Sequence, residues 1–307
     1  MRRLSTFIAM TLLLVSAYAD GTNNSYVQRI QAGRIEKEAA IKSRDGLLSY
    51  IASYRLKDGE NRVGSDPVNE IRLPAHSAPA QVGKFILTNG HVTFTSSAPG
   101  LVSLDGQAVG TVDLTANKSR PSAKLSVGRL QLFFRLSSDL EYRVFISDPQ
   151  SPNFASFHGL DWYPIDASWR IQGRFIPHEN PGKITYENAL GGSNTADSPG
   201  DVLFTRNGRE YRLEVEKANN GLVVLFSDET SGKSTYGGGR ELEIEKGDGD
   251  AVTLDFNQAV NKPCAVNPYT ACSLSPSQNR LVFEVTAGEK NPLIQVERVA
   301  TAPKRIR

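Results

Sequence analysis

Apolar and polar residues alternate in short runs along most of this chain, and helical spacing is limited to its beginning. Val27, Ile30 and Ile41 are spaced for one face of a helix over residues 26–43, although Gly33 lowers its helical propensity. Beyond this helix, short apolar runs are separated by Gly, Pro, Asn and Asp. The pattern predicts a mainly β protein with one short N-terminal helix.

Three dipeptides between apolar runs are typical of tight turns in β-hairpins. They are Asn89-Gly90, Asp105-Gly106 and Asn207-Gly208. Asn, Asp and Gly tolerate the positive φ that a type I′ turn requires. We therefore expect antiparallel hairpins in both halves of the chain.

The sequence predicts four consecutive segments. The stretch Asp148–Pro152 contains two prolines, which suits a junction between two β domains. A chain of 307 residues is also long enough for two cores. The expected segments are a signal peptide at 1–19, an N-terminal helix within 20–45, a β-sandwich at 46–150, and a larger antiparallel barrel or sandwich at 151–307.

The beginning of the chain has the three parts of a secretory signal. Arg2 and Arg3 supply the positive start, residues 7–15 form the apolar run, and residues 17–19 are an A-x-A cleavage site. The apolar run is too short to cross about 30 Å of hydrocarbon, and no other stretch is long and apolar enough. We expect cleavage after Ala19 and a periplasmic or secreted mature protein without an integral membrane segment.

Charge excludes some classes of partner. Removing Arg2 and Arg3 from the 35 basic residues leaves 33 basic against 33 acidic residues, so the mature chain has no net charge. A balanced chain has no long-range attraction to nucleic acid or to anionic lipid. We therefore expect neither a nucleic-acid-binding protein nor a polybasic membrane binder.

The first candidate site is a glycine-rich stretch made of Tyr236, Gly237, Gly238, Gly239 and Arg240. Consecutive glycines allow positive φ and close approach of the backbone, so their amides can cradle an anion beside the arginine. A tight turn between strands is the alternative interpretation. The stretch lacks the Lys-Ser/Thr ending of a nucleotide-binding loop, and we expect no cofactor.

The second candidate is the loop region between residues 255 and 280, which is rich in proline and in hydrogen-bonding side chains. Asp255, Asn257, Tyr269 and Asn279 are expected to orient a ligand, and Asp255 is also a candidate base.

The two cysteines, Cys264 and Cys272, lie in the same loop region. In an oxidising compartment they are candidates for a disulfide. Alternatively, one is a thiol nucleophile assisted by His158 or His178. No histidine lies beside them in the sequence, so we expect no metal site.

A third cluster combines aromatic and acidic residues, Asp161-Trp162-Tyr163-Pro164 and Asp166. Such clusters line ligand pockets or contribute aromatic rings to a core. Asp161 and Asp166 would serve as a carboxylate pair for glycoside hydrolysis only at a suitable separation.

Residues 56–74 resemble the opening of a forkhead-associated domain, a β-sandwich that binds phosphothreonine. That family has an arginine after the glycine of its first turn, whereas here Ser65 follows Gly64. The Ser-x-x-His pattern of the family is also absent, since the corresponding stretch begins at His76. Because arginine makes bidentate phosphate contacts, we expect the framework without phosphopeptide binding.

Several longer segments, taken in order, resemble the bacterial family known as domain of unknown function 1684. They are GENRVGSDPVNEIRLP, HGLDWYPID, SDETSGKSTYGGGR, LDFNQAVNKPCAVNPYTACSLSPSQNRL and TAGEKNP, and the resemblance runs from about Asp45 to Asn291. It implies a family without an established activity, so it transfers no catalytic role.

The sequence therefore predicts an exported protein that binds an unknown small polar or anionic ligand in its second β domain, with Arg240 and the glycine amides as anion contacts. One alternative is a hydrolase that uses Cys264, Cys272 or Asp255. Another is a structural or partner-docking protein of the cell envelope. The sequence does not indicate an oligomeric state.

Overall fold

A computed structural model describes residues 5–115, 124–136, 141–188, 192–219, 221–270, 272–292 and 294, with side chains from Asn24 onward except at 135 and 136. The predicted mainly β architecture is confirmed, with one long N-terminal helix and several sheets. In the part of the chain that the structure describes, no helix combines the length and apolar character needed to cross a bilayer.

Helix α1 (Ser5–Lys42) is longer than the helix predicted within 20–45, because it continues through the predicted signal segment as far as the described residues reach. Its C-terminal end agrees with the prediction. Ile30 and Ile41 are buried and Val27 is half-buried, as their spacing indicated. The apolar stripe therefore fixes which face of α1 packs against the rest of the protein.

The first β domain is a sandwich of two sheets around one core, as predicted. One sheet has the strand order β1-β11-β10-β9-β6-β7 and the other β3-β2-β4-β5-β8. The strands are β1 (Tyr50–Arg55), β2 (Gly59–Gly64), β3 (Ile71–Arg72), β4 (Gly83–Thr88), β5 (His91–Ser96), β6 (Ser103–Leu104), β7 (Gln107–Ala108), β8 (Thr111–Asp113), β9 (Lys124–Val127), β10 (Leu130–Leu136) and β11 (Tyr142–Ser147).

The second β domain is a closed antiparallel barrel. Its strands are β12 (Arg170–Glu187), β13 (Ser193–Arg206), β14 (Arg209–Ala218), β15 (Gly221–Phe226), β16 (Arg240–Lys246), β17 (Ala251–Asp255) and β18 (Val260–Asn261). They follow the order β15-β14-β13-β12-β17-β16-β18, and an additional pairing of β15 with β16 closes the sheet on itself. Of the two predicted alternatives, barrel and sandwich, the structure has the barrel.

The three predicted hairpin turns are all present. The first residue of each turn has φ near 50° and the following glycine has φ between 75° and 83°. These residues are Asn89-Gly90, Asp105-Gly106 and Asn207-Gly208. The turn residues therefore set the register of hairpins in both domains.

Helix α1 and the two domains meet at one small core, made of Ile41, Leu48, Phe157, Val266 and Ile294. Two short helices lie beside it, α2 (Asn153–Ser156) and α3 (Pro263–Val266). The junction therefore holds the end of α1 against both the sandwich and the barrel.

Candidate functional site

The glycine-rich stretch forms a tightly packed turn. The amide of Gly239 donates to the carbonyl of Tyr236 at 3.1 Å, and the amide of Ser275 donates to the carbonyl of Gly238 at 2.9 Å. Gly239 has φ +89°, and a Cβ there would lie 2.6 Å from the carbonyl oxygen of Phe226. Glycine is required here for backbone geometry and for close packing against Phe226 and Ser275, which favours the turn interpretation.

Arg240 is completely buried, and its guanidinium is engaged by the protein itself. It forms an ion pair with buried Asp228 at 2.8 Å and donates to the carbonyls of Val285 at 2.9 Å and of Ala287. The guanidinium also lies over the ring of Phe226, 5.3 Å from its centroid. An anion would have to displace these buried groups to reach Arg240, and a buried charge that loses its partner is strongly destabilising.

Cys264 and Cys272 form a disulfide, with their Cα atoms 6.1 Å apart. This is the first of the two predicted alternatives, and it leaves neither sulfur as a free thiol. The disulfide closes a loop in which Asn267 is completely buried and donates to the carbonyls of Leu47 at 2.7 Å and Tyr50 at 2.8 Å. The loop therefore fastens the barrel to the first strand of the sandwich.

Two further predicted residues are buried. Asn279 donates to the carbonyls of Glu214 and Leu225 and accepts from the amide of Glu214, so it joins β14 to β15. Tyr269 is 1% exposed, and its amide donates to the side chain of Asn267 at 2.9 Å. Both positions indicate a structural contribution to the barrel and its cysteine loop.

Asp255 and Asn257 lie where α1 meets the barrel, and both are completely buried. The hydroxyl of Tyr26, from α1, donates to the Asp255 carboxylate at 2.9 Å, and the Asn257 amide donates to that hydroxyl at 2.9 Å. Burial, together with the hydrogen bond to Asp255 and its negative charge, raises the pKa of Tyr26 above its ordinary value. The two predicted residues are therefore part of a polar network that continues into α1.

Lys37 makes a second polar contact from α1 to the barrel domain. Its ammonium lies 2.7 Å from a carboxylate oxygen of Glu289, whose side chain is completely buried. The same oxygen accepts the amide of Asn261 at 2.9 Å. The helix thus neutralises a carboxylate that the barrel domain buries.

Arg34 makes a third contact, between α1 and the segment around Trp162. It donates to the carbonyl of Tyr163 at 3.1 Å and to that of Asn257 at 3.4 Å. Its guanidinium stacks over the Trp162 ring, 4.7 Å from the centroid. Burial lowers the pKa of Arg34 from its ordinary value.

A cleft of about 360 Å³ opens between α1 and the barrel, next to these contacts. Arg29, Gly33, Arg34 and Glu36 line it from α1. Trp162, Glu241, Glu243, Asn257 and Gln258 line it from the barrel domain. A Cβ on Gly33 would meet no atom within 4 Å, so this mid-helix glycine leaves the space open.

Of the five charged residues that line the cleft, Arg29 and Glu241 are in ion pairs. Arg29 contacts Glu245 at 3.3 Å, and Lys262 contacts Glu241 at 2.5 Å. Glu36 and Glu243 have no ion-pair partner among the residues that the structure describes. Arg34 also has no ion-pair partner among the described residues, but two carbonyls and an indole ring hold its guanidinium, so the charges without an ion pair are two carboxylates and one guanidinium.

The structure brings only part of the predicted site together. Asn257 lines the cleft, and Asp255 lies in the network beneath it. Arg240 is buried against Asp228, and the disulfide lies at the domain junction, so neither lines the cleft.

The aromatic-acidic cluster divides in the structure. Trp162 lines the cleft, whereas Asp161 contacts Lys290 at 3.1 Å and Asp166 caps a short 3₁₀ helix, Ala167–Trp169. Across the described ranges, no three His, Cys, Asp or Glu side chains are grouped closely enough to hold a metal ion.

The α1 side of the site was not predicted from the sequence. Tyr26, Arg34 and Lys37 follow the same helical spacing as Ile30 and Ile41, the residues of the buried face. Polar residues at the positions of a buried stripe indicate that the helix packs against polar partners. That spacing was the available signal.

Residues 155–290 match a family described as a protein of unknown function, DUF1684. The chain belongs to this family. The match is shorter than the resemblance seen in the sequence, and it includes the barrel side of the cleft but not α1.

The chain is also similar to an uncharacterized protein of Haloarcula marismortui known from a solution NMR structure. The identity is 30% over 44% of this chain and 78% of that one, with a TM-score of 0.38. No curated protein matches the chain.

Proposed function

We propose that this DUF1684 protein binds a small polar ligand that carries a positive charge, in the cleft between α1 and the barrel. The observation that supports this proposal is the cleft itself, in which Glu36 and Glu243 have no ion-pair partner in the described structure and flank an open space beside Trp162. Carboxylates on the two walls of a cleft attract and orient a cation, and an adjacent aromatic surface adds to the binding of its apolar part.

The same charges argue against an anion as the preferred ligand. Among the residues that line the cleft, Glu36, Glu241 and Glu243 outnumber Arg29 and Arg34. Arg29 is additionally held by Glu245. An anion would therefore approach two carboxylates without an ion pair and one guanidinium already held by two carbonyls and an indole ring, and repulsion between like charges disfavours it.

Trp162 provides a direct readout of binding, because the sequence contains only two tryptophans. The other, Trp169, is 6% exposed and packs in the barrel core. In a spectrum of ¹⁵N-labelled protein, titration with ethylammonium chloride should shift the indole signal of Trp162 and leave that of Trp169 in place. Sodium acetate should shift neither signal.

Gly33 offers a matched pair of variants for the same titration. G33W places a large side chain in the open space, so the ethylammonium-dependent shift should disappear. G33A adds one methyl group and raises helix propensity by about 1 kcal/mol, so the shift should remain. Equal shifts in G33W and in the unmodified protein would place the ligand elsewhere and refute ligand binding in the cleft.

We also propose that the chain is exported and begins at Asp20 after cleavage. The Cys264–Cys272 disulfide supports this, because structural disulfides persist in oxidising compartments. Cleavage after Ala19 retains Tyr26, Arg34 and Lys37, so the mature chain keeps the α1 side of the cleft. N-terminal sequencing of protein recovered from the native host should start at Asp20, and a sequence starting at Met1 would contradict export by this signal.

A further inference from the structure

A second depression is lined by the same Arg34 and Trp162 that line the cleft. It is a groove of about 590 Å³ between α1 and the segment before Trp162, and its surface is mainly apolar. Ile35, Ala39 and Leu160 line it together with the charged residues Glu38 and Lys42. The groove is therefore larger than the cleft and of different chemistry.

The groove and the cleft share a common wall. Arg34 and Trp162 line both spaces, and the guanidinium lies 4.7 Å from the centroid of the indole ring. The wall is held in place because Trp162 pairs with Glu289 in a β-bridge. A molecule bound in the cleft beside Trp162 is thus close to the apolar surface of the groove, which the same indole ring lines.

Ile35 is the most exposed large apolar residue among those described, at 70% exposure. Val68 and Val282 are also exposed, at 59% and 56%, but neither lines the groove or the cleft. Covering Ile35 together with Leu160 and Ala39 would remove apolar surface from water, which is favourable in proportion to the area covered.

We propose that the groove holds the aliphatic part of the ligand whose charged group lies in the cleft, so that the ligand class is a linear alkylamine. This inference rests on the proposed function of the cleft. The ammonium group of the ligand faces Glu36 and Glu243. Its alkyl chain passes Trp162, and the end of that alkyl chain covers Ile35. The proposal is carried by Arg34 and Trp162, which line both spaces and place them side by side.

The experiment is a titration with ethylammonium, butylammonium and hexylammonium chloride, followed through the Trp162 indole signal. Each methylene that enters the groove should increase affinity about twofold to fourfold. I35A and I35S should reduce this gain, because both remove apolar surface from the groove without adding a charge. V282A removes apolar surface at an exposed valine outside both spaces, so it should retain the full gain.

The outcomes separate the groove from the cleft. Equal affinities for ethylammonium and hexylammonium in the unmodified protein would overturn the proposal that the groove binds the alkyl chain, while leaving the proposed function of the cleft intact. A full gain with increasing alkyl length in both I35A and I35S would also overturn it. If none of the three amines shifts Trp162, the proposed function of the cleft fails, and the groove inference fails with it.

Discussion

The ion pair between Lys37 and Glu289 tests whether α1 docks on the barrel as described. Replacing Lys37 with methionine keeps much of the side-chain volume but removes the ammonium that lies 2.7 Å from the Glu289 carboxylate. The Glu289 side chain is 0% exposed, and the charge that remains there has only the amide of Asn261 as a hydrogen-bond donor at that oxygen. Its second carboxylate oxygen is buried without a hydrogen-bond partner among the described residues.

Removing one partner of a buried ion pair typically costs about 3–5 kcal/mol. Lys37 retains 25% exposure, which weakens the pair through solvent screening, so we expect K37M to lower the free energy of unfolding by about 2–3 kcal/mol. E289Q should cost less, because its amide oxygen can still accept from Asn261 and the Lys37 ammonium can turn to solvent. In the double variant K37M/E289Q no buried charge is left unpaired, so its loss should be smaller than that of K37M alone.

Urea unfolding followed by tryptophan fluorescence is the appropriate assay, because both tryptophans lie in the barrel domain. K42M is the matched control on the same helix. Lys42 is 56% exposed and contacts Glu38 at 3.8 Å, a pair of a kind worth about 0.3–0.5 kcal/mol. If K37M and K42M lower the free energy of unfolding equally, the buried contact between α1 and the barrel does not exist in solution.

Two other features give simple predictions. Replacing both Cys264 and Cys272 with alanine should lower the free energy of unfolding by about 2.5 kcal/mol, the loop-closure estimate for a separation of 8 residues. The unmodified protein in dithiothreitol should show the same loss, and insensitivity to reductant would contradict the disulfide. Hydrogen bonds from Arg62 lower the pKa of Glu70 from 4.5 to about 2. The contribution of ionised Glu70 to stability is therefore fully present above pH 4.5 and is lost as the pH falls through about 2. R62M should raise the Glu70 pKa toward 4.5 in an NMR titration, and a midpoint near 4.5 in the unmodified protein would refute the pairing.

Local patterns predicted the three hairpin turns and the buried face of α1, but not the full length of that helix. The three hairpins follow from dipeptides whose residues adopt positive φ, and the buried face of α1 follows from the spacing of Ile30 and Ile41. The sequence did not decide between a barrel and a sandwich for the second domain. The pairing of β15 with β16, which closes the barrel, depends on strand curvature and on contacts that turn residues do not encode.

The candidate site was predicted only in part, for a different physical reason. Arg240 has the residue type and neighbours of an anion contact, but Asp228, twelve residues earlier in the chain, takes up its charge inside the barrel. A polar residue that satisfies another buried polar residue has the same appearance in a sequence as one that awaits a ligand. Contacts distant in sequence separate the two cases, and here they assign Arg240 and Asn279 to the scaffold.

The position of α1 has a consequence for the family. Asp255 accepts from Asn257 and Gln258 as well as from Tyr26, so it keeps donors within the matched segment, residues 155–290. Glu289 depends more on α1, because its ammonium partner Lys37 lies outside that segment and the Asn261 amide is the donor inside it. A fully buried carboxylate is costly without a counter-charge, so we expect a helix with an ammonium at this position in relatives that keep the acid, and a neutral residue in place of the acid where that helix is missing. The N-terminal helix is thus an integral wall of the barrel's proposed ligand site, although it lies far ahead of the barrel in the chain.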